Sequence, residues 1–258
     1  MRAKNLPAFE KHFRDNGVDT DGKKFILSPF QANIPGTQEP VDFVECTLKS
    51  GDKSYWYHDQ TPKKRIVLHF TAGYLKGDIA TLTQRNYHVS VPFVVARDGT
   101  IYNLWSSREW SYHLGKEAVG GNKAMSRSSV GIEISNIGWL KRSQNDLLTY
   151  FSEPGKPDVY CTLDEKEFYA KVPLYREKEY FATFTDEQYA SVGKLVRFLA
   201  AKYDIPLTFV DESERYKTIP TISTFRGITS HVNFRPSGKW DIGPAFNWKR
   251  LIKDVGGS

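Results

Sequence analysis

The six residues Arg65–Phe70, RIVLHF, restrict the fold more than any other stretch of the chain. Ile66, Val67 and Leu68 are apolar without alternation, so a strand built from them needs cover on both faces and belongs in the interior of a sheet. His69 follows as a polar residue delivered to the sheet end. Further on, SVGIEISN alternates, which turns Ile132 and Ile134 one way and Glu133 the other. FVVARDGTIYNLW reads as two β-rich runs joined by Asp98-Gly99, a strong hairpin signal. FRGITSH reads as a last strand ending at His231.

Helical text lies between and after these strands. DIATLTQRN reads as a short helix with Asp78 as its N-cap. TDEQYASVGKLVRFLAAKYDIP is the clearest helix: Thr185 and Gln188 form a capping box, and Tyr189, Val192, Leu195, Val196 and Leu199 form one apolar stripe. AFNWKRLIKDV closes the chain as another helix. Interleaved strands and helices imply an α/β class with one mixed sheet. Residues 1–62 read as an extension packed on that core, with an amphipathic run at LPAFEKHFRDNG followed by turn-rich text. Residues 140–184 read as a charged, aromatic insertion of loops and a hairpin, and 63–255 as the main domain.

The 258 residues can bury one sizeable core. The start of the sequence has no apolar core of a secretory signal, and no window is apolar enough to span a bilayer, so the expectation is synthesis in the cytoplasm without membrane insertion. Cys46 and Cys161 stand in no CxxC or Cys/His cluster and read as ordinary thiols. A net charge of +6 favours an anionic partner. Nucleic acid is not expected, because the chain has no helix-turn-helix, zinc-finger or RNP-like text and its lysines are dispersed. A serine hydrolase is disfavoured by the lack of a G-x-S-x-G elbow.

His69 and His231 each close an apparent buried strand, so two imidazoles can converge if those strands are neighbours. Asp241 follows His231 by ten residues, through a loop with Pro236 and Gly238 that can fold back. Two histidines and a carboxylate, with a fourth position left to water, are what a catalytic zinc site requires.

IVLHFTAG, VARDGTIYNLW, WSYHLG, SVGIEISN, FTDEQY and HVNFRPSGKWDIGPAF stand in the order, and with roughly the content, of the zinc-dependent N-acetylmuramoyl-L-alanine amidases. That family includes phage endolysins, bacterial muropeptide-recycling amidases and animal peptidoglycan recognition proteins. The resemblance covers about residues 63–252. It implies a central mixed sheet flanked by helices, and one zinc ion held by His69, His231 and Asp241. It also implies Glu133 as general base, Lys239 facing the substrate carbonyl, and His113, Trp110 and Asn136 in contact with substrate. Many members carry an aromatic-histidine pair where this chain has Val91-Pro92, which moves the base role onto Glu133.

The implied activity is hydrolysis of the amide between N-acetylmuramic acid and the first L-alanine of the stem peptide. The implied partner is peptidoglycan or its muropeptides, met by a monomer. The enzyme would act on wall after release or secretion, or on fragments in the cytosol. The alternative is a wall-binding module without catalysis, a type that usually lacks a metal ligand; here all three are present. Trp105, Trp110, Tyr112 and Trp139 are candidates for stacking on sugars, although most aromatic residues of this kind are core.

Overall fold

The computed structural model describes residues 1–257. In chain order it comprises α1 (Leu6–Asn16), β1 (Phe25–Asn33), β2 (Pro40–Leu48), β3 (Arg65–Phe70), α2 (Leu75–Leu82), β4 (Phe93–Val95), β5 (Ile101–Asn103), α3 (Asn122–Arg127) and β6 (Ser129–Ile134). Then follow β7 (Trp139–Ser143), β8 (Asp146–Thr149), β9 (Val159–Thr162), β10 (Tyr169–Tyr175), β11 (Lys178–Ala182), α4 (Asp186–Tyr203), β12 (Gly227–Ser230) and α5 (Trp248–Val255).

Seven strands form a mixed sheet in the order β1-β2-β5-β4-β6-β3-β12. β3 lies between β6 and β12, parallel to both, and every residue of it is buried, as its unbroken apolar run requires. One face carries Ile66, Leu68, Ile132, Ile134 and Ile228 against the α4 stripe and α5. That stripe is the expected set, and the Thr185–Gln188 capping box is formed. The other face packs Phe13, Val94 and Tyr102 under α1 and α2. The Asp98-Gly99 turn joins the antiparallel pair β4–β5.

Three readings change. Residues 25–48, turn-rich by composition, form a hairpin of two nine-residue strands that extends the central sheet through β2–β5 pairing. Its prolines mislead because Pro29 lies on the edge strand and Pro40 opens β2, where a missing N–H is tolerated. Residues 140–184 form a second, five-stranded sheet in the order β10-β11-β7-β8-β9. Asp78 is not an N-cap: α2 begins at Leu75, and Asp78 is buried in its first turn.

Both cysteines are free and buried. Among the described residues, no helix is long and apolar enough to cross a membrane.

Candidate metal centre and active site

His69 lies near the C-terminal end of β3, and His231 opens the 3₁₀ turn that directly follows the neighbouring β12. Asn233 shapes that turn. Its side-chain oxygen accepts from Ser230 N at 3.0 Å and Thr229 Oγ1 at 2.7 Å, and its amide donates to Lys217 O at 2.9 Å. Asp241 returns to the same place, with its carbonyl accepting from Val232 N at 2.8 Å. His69 Nδ1 and His231 Nδ1 stand 3.0 Å apart, and Asp241 Oδ2 lies 3.1 Å from the first and 2.9 Å from the second.

The outer hydrogen bonds assign the protons. Ser129 Oγ donates to Met125 O at 2.6 Å, since a carbonyl only accepts, so it accepts from His113 Nε2 at 3.0 Å. His113 Nδ1 is then an acceptor for His69 Nε2–H at 3.0 Å, which leaves His69 Nδ1 as a bare lone pair. His231 Nε2 donates to Leu114 O at 3.1 Å and likewise bares its Nδ1. Two imidazole lone pairs and a carboxylate oxygen therefore face one another with no proton between them. Such a set is repulsive alone and is resolved by a cation. Ligand atoms around a tetrahedral ion at 2.0–2.1 Å stand about 3.3 Å apart, close to the spacing found. The residues fit a divalent metal with one position left over.

Burial pushes the His69 imidazole down to about 4, against the pull of Asp241. Burial alone would raise the Asp241 carboxyl, but the two adjacent imidazoles hold it well below the usual range. His69 is thus held as a neutral imidazole and Asp241 as an ionised carboxylate, the forms that bind metal.

Glu133 pairs with His69 across β3 and β6, on the face away from Ile132 and Ile134 as the alternation requires. The residue is partly exposed, yet its Oε2 is shielded from solvent and has no hydrogen-bond partner in the protein. Burial raises its carboxyl well above the usual range, the charge of Asp241 adds to this, and Lys239 opposes it. Lys239 is half-buried in the loop before Asp241, close enough for its charge to act on both His69 and Glu133.

The three residues expected at the substrate each have partners within the protein. His113 is held against His69, and Tyr112-His113-Leu114 supplies the outer partner of both His69 and His231. Gly131 makes this approach possible, because a Cβ there would stand 3.1 Å from His113 Nδ1 and 2.6 Å from Val91 Cγ1. Trp110 is buried, stacked 4.2 Å from Tyr57 and bonded through its indole to Asp59. Asn136 is buried, with its amide committed to Thr183 O and its oxygen to Gly138 N. Trp110 and Asn136 are thus both hydrogen-bonded from within the protein.

Sequence reasoning missed Arg176. It sits in the two-residue turn between β10 and β11, where Arg176 and Glu177 both have positive φ (46° and 66°), the signature of a type I′ hairpin. Its guanidinium donates to Lys239 O at 2.6 Å and Arg235 O at 3.0 Å, and its own carbonyl accepts from Trp240 Nε1 at 3.1 Å. The second sheet thereby clamps the loop that carries Lys239 and Asp241. No local sequence pattern links residue 176 to residue 239; only the fold does.

A mixed sheet that brings two imidazole lone pairs and a carboxylate oxygen together beside its strand ends, with an unpartnered carboxylate alongside, defines an α/β protein with a candidate metal centre. A model of the N-acetylmuramoyl-L-alanine amidase family matches residues 59–244, and the chain belongs to that family. It is 24% identical over 195 residues to the N-acetylmuramoyl-L-alanine amidase AmiD of Escherichia coli (strain K12), a match covering 74% of this chain and 52% of AmiD. The chain thus spans about half the length of this curated relative. The solved AmiD complex with anhydro-N-acetylmuramic acid-L-Ala-D-gamma-Glu-L-Lys superposes with a TM-score of 0.50 at 22% identity, over 78% of this chain and 61% of that one, a likeness of fold. AmpDH3 from Pseudomonas aeruginosa gives a TM-score of 0.47 at 16% identity, over 78% of this chain and 63% of that one.

Proposed function

We propose that this protein hydrolyses the amide between the lactyl group of N-acetylmuramic acid and the L-alanine of the stem peptide, in peptidoglycan or its fragments, with one zinc ion per chain. The observation that carries the reading is the convergence of His69 Nδ1, His231 Nδ1 and Asp241 Oδ2 within 3.1 Å, with Glu133 on the strand beside His69. All these groups are present together, which favours catalysis over a binding module.

When bound, zinc supplies an electrophile for the carbonyl and a water that ionises near neutral pH. Glu133 takes the proton of the attacking water on its unpartnered oxygen and passes it to the departing alanine nitrogen. Its proton affinity, raised by burial, favours taking that proton. Lys239 donates to the carbonyl oxygen as negative charge develops there, a contribution of about 3 kcal/mol for one such donor. His113 and Leu114 hold the imidazole lone pairs in place.

The test is incubation of purified sacculi and soluble muropeptides with the protein, with and without chelator, followed by mass analysis. Free stem peptides beginning at L-alanine, lost with chelator, support the reading; intact stems on both substrates refute it.

A further inference from the structure

Five aromatic rings form a continuous ladder beside the metal centre. Trp240, the neighbour of Asp241, lies 5.7 Å from Trp139; Trp139 lies 5.5 Å from Tyr150; Tyr150 lies 5.1 Å from Phe151; and Phe151 lies 5.9 Å from Tyr74. The ladder starts in the loop of the third metal-binding residue and ends in the loop after the strand of the first. Its middle rungs belong to the second sheet and the turn that follows β8. Trp240, Trp139, Tyr150 and Tyr74 are each partly exposed, and Phe151 is 42% exposed. Lys178 Nζ sits 4.1 Å over Trp139, and Lys141 Nζ lies 5.9 Å from the same ring.

We propose that this ladder is a glycan track, which binds the sugar backbone of a polymeric strand while one of its stem peptides lies over the metal centre. The proposal rests on the amidase reading and adds to it a binding surface and a preference for polymer. A pyranose offers an apolar C–H face to an aromatic ring, and each sugar of a strand can take a ring of a different tilt. Successive rungs are inclined by 43° to 80°, which suits separate sugars and not a parallel stack of bases. Lys178 and Lys141, both over the Trp139 ring, add positive charge to the track, complementary to the carboxylates that stem peptides carry along such a strand, and Lys178 must swing aside for a sugar to stack on that face.

The probe is a β-1,4-linked N-acetylglucosamine hexamer, which lacks the lactyl group and the lactyl–alanine amide, titrated into the full metal-loaded chain and followed by tryptophan fluorescence. Saturable binding is expected, about tenfold weaker for Phe151→Ala and regained in Phe151→Tyr. In a second arm, the ratio of turnover on sacculi to turnover on soluble muropeptide should fall about tenfold in Phe151→Ala, and Lys178→Ala should weaken sacculus binding most at low salt. The proposal is overturned if the hexamer does not bind, if Phe151→Ala binds it normally, or if turnover falls equally on both substrates. Tighter, Phe151-dependent binding of an oligothymidylate than of the hexamer would overturn it in favour of single-stranded nucleic acid. Hexamer binding that behaves as expected in a protein that cuts neither substrate would refute the amidase reading and leave the track standing.

Discussion

His113 accepts a hydrogen bond from His69 through its Nδ1, 3.0 Å from His69 Nε2, and so decides which nitrogen of His69 faces Asp241. Outer partners of this kind fix a ligand's tautomer, and their loss typically costs about 10- to 100-fold in metal affinity. His113→Ala is therefore expected to release zinc at chelator concentrations that leave the wild type loaded, measured by competition with a chromogenic chelator. Unchanged affinity would return His113 to the substrate role that its motif suggests.

Glu133→Gln separates the base from the metal. The variant should retain zinc and lose about 100- to 10,000-fold in turnover, because proton transfer by a positioned side chain is worth that much. Near-normal turnover with zinc in place would mean that the proton moves through another group.

Lys239→Ala should leave zinc content nearly intact and lower kcat more than it raises KM, since an oxyanion contact exists mainly in the transition state. A rise in KM alone would make Lys239 a substrate-binding charge.

Arg176→Ala removes two charge-assisted bonds to the loop of Lys239 and Asp241, each worth about 1.5–3 kcal/mol. Thermal unfolding should occur several degrees lower, and zinc should dissociate faster than in a variant of equal stability altered elsewhere. A fall in melting temperature without faster zinc loss would confine Arg176 to scaffolding.

Burial raises the carboxyls of Glu10 and Asp78 from 4.5 and 3.8 to about 7. Both approach the hydroxyl of Ser135, at 3.3 and 3.5 Å. Between about pH 4 and 7 the folded chain holds protons that the unfolded chain has released, so stability falls as pH rises through that window. Glu10→Gln should flatten the fall and raise stability at pH 8 by up to about 3 kcal/mol. A pH profile of denaturant midpoints that keeps its slope in the variant would contradict this.

The parts of the fold legible in sequence are those with one dominant local cause. β3 announces itself by an apolar run with no polar alternative, α4 by its cap and stripe, and β4–β5 by Asp98-Gly99. The β1–β2 hairpin was hidden because Pro29 and Pro40 occupy an edge strand and a strand start, positions where the usual penalty does not apply. The convergence of His69, His231 and Asp241 was legible because two buried strands end in polar residues and a loop with Pro236 and Gly238 can fold back between His231 and Asp241. The internal hydrogen bonds of Trp110 and Asn136 were not legible, because a sequence shows a polar group without showing whether the protein already satisfies it. Arg176 and Asn233 act over long or indirect paths, through backbone carbonyls that carry no residue signature.

The most direct measurement is mass analysis of a defined N-acetylmuramoyl tripeptide after incubation with zinc-loaded wild type, chelated wild type and His231→Ala. Release of the tripeptide with a free L-alanine amine by the loaded wild type alone is the predicted result. Cleavage at another bond, or the same cleavage after chelation or in His231→Ala, would contradict the assignment of His69, His231 and Asp241 as the centre of an amide hydrolase.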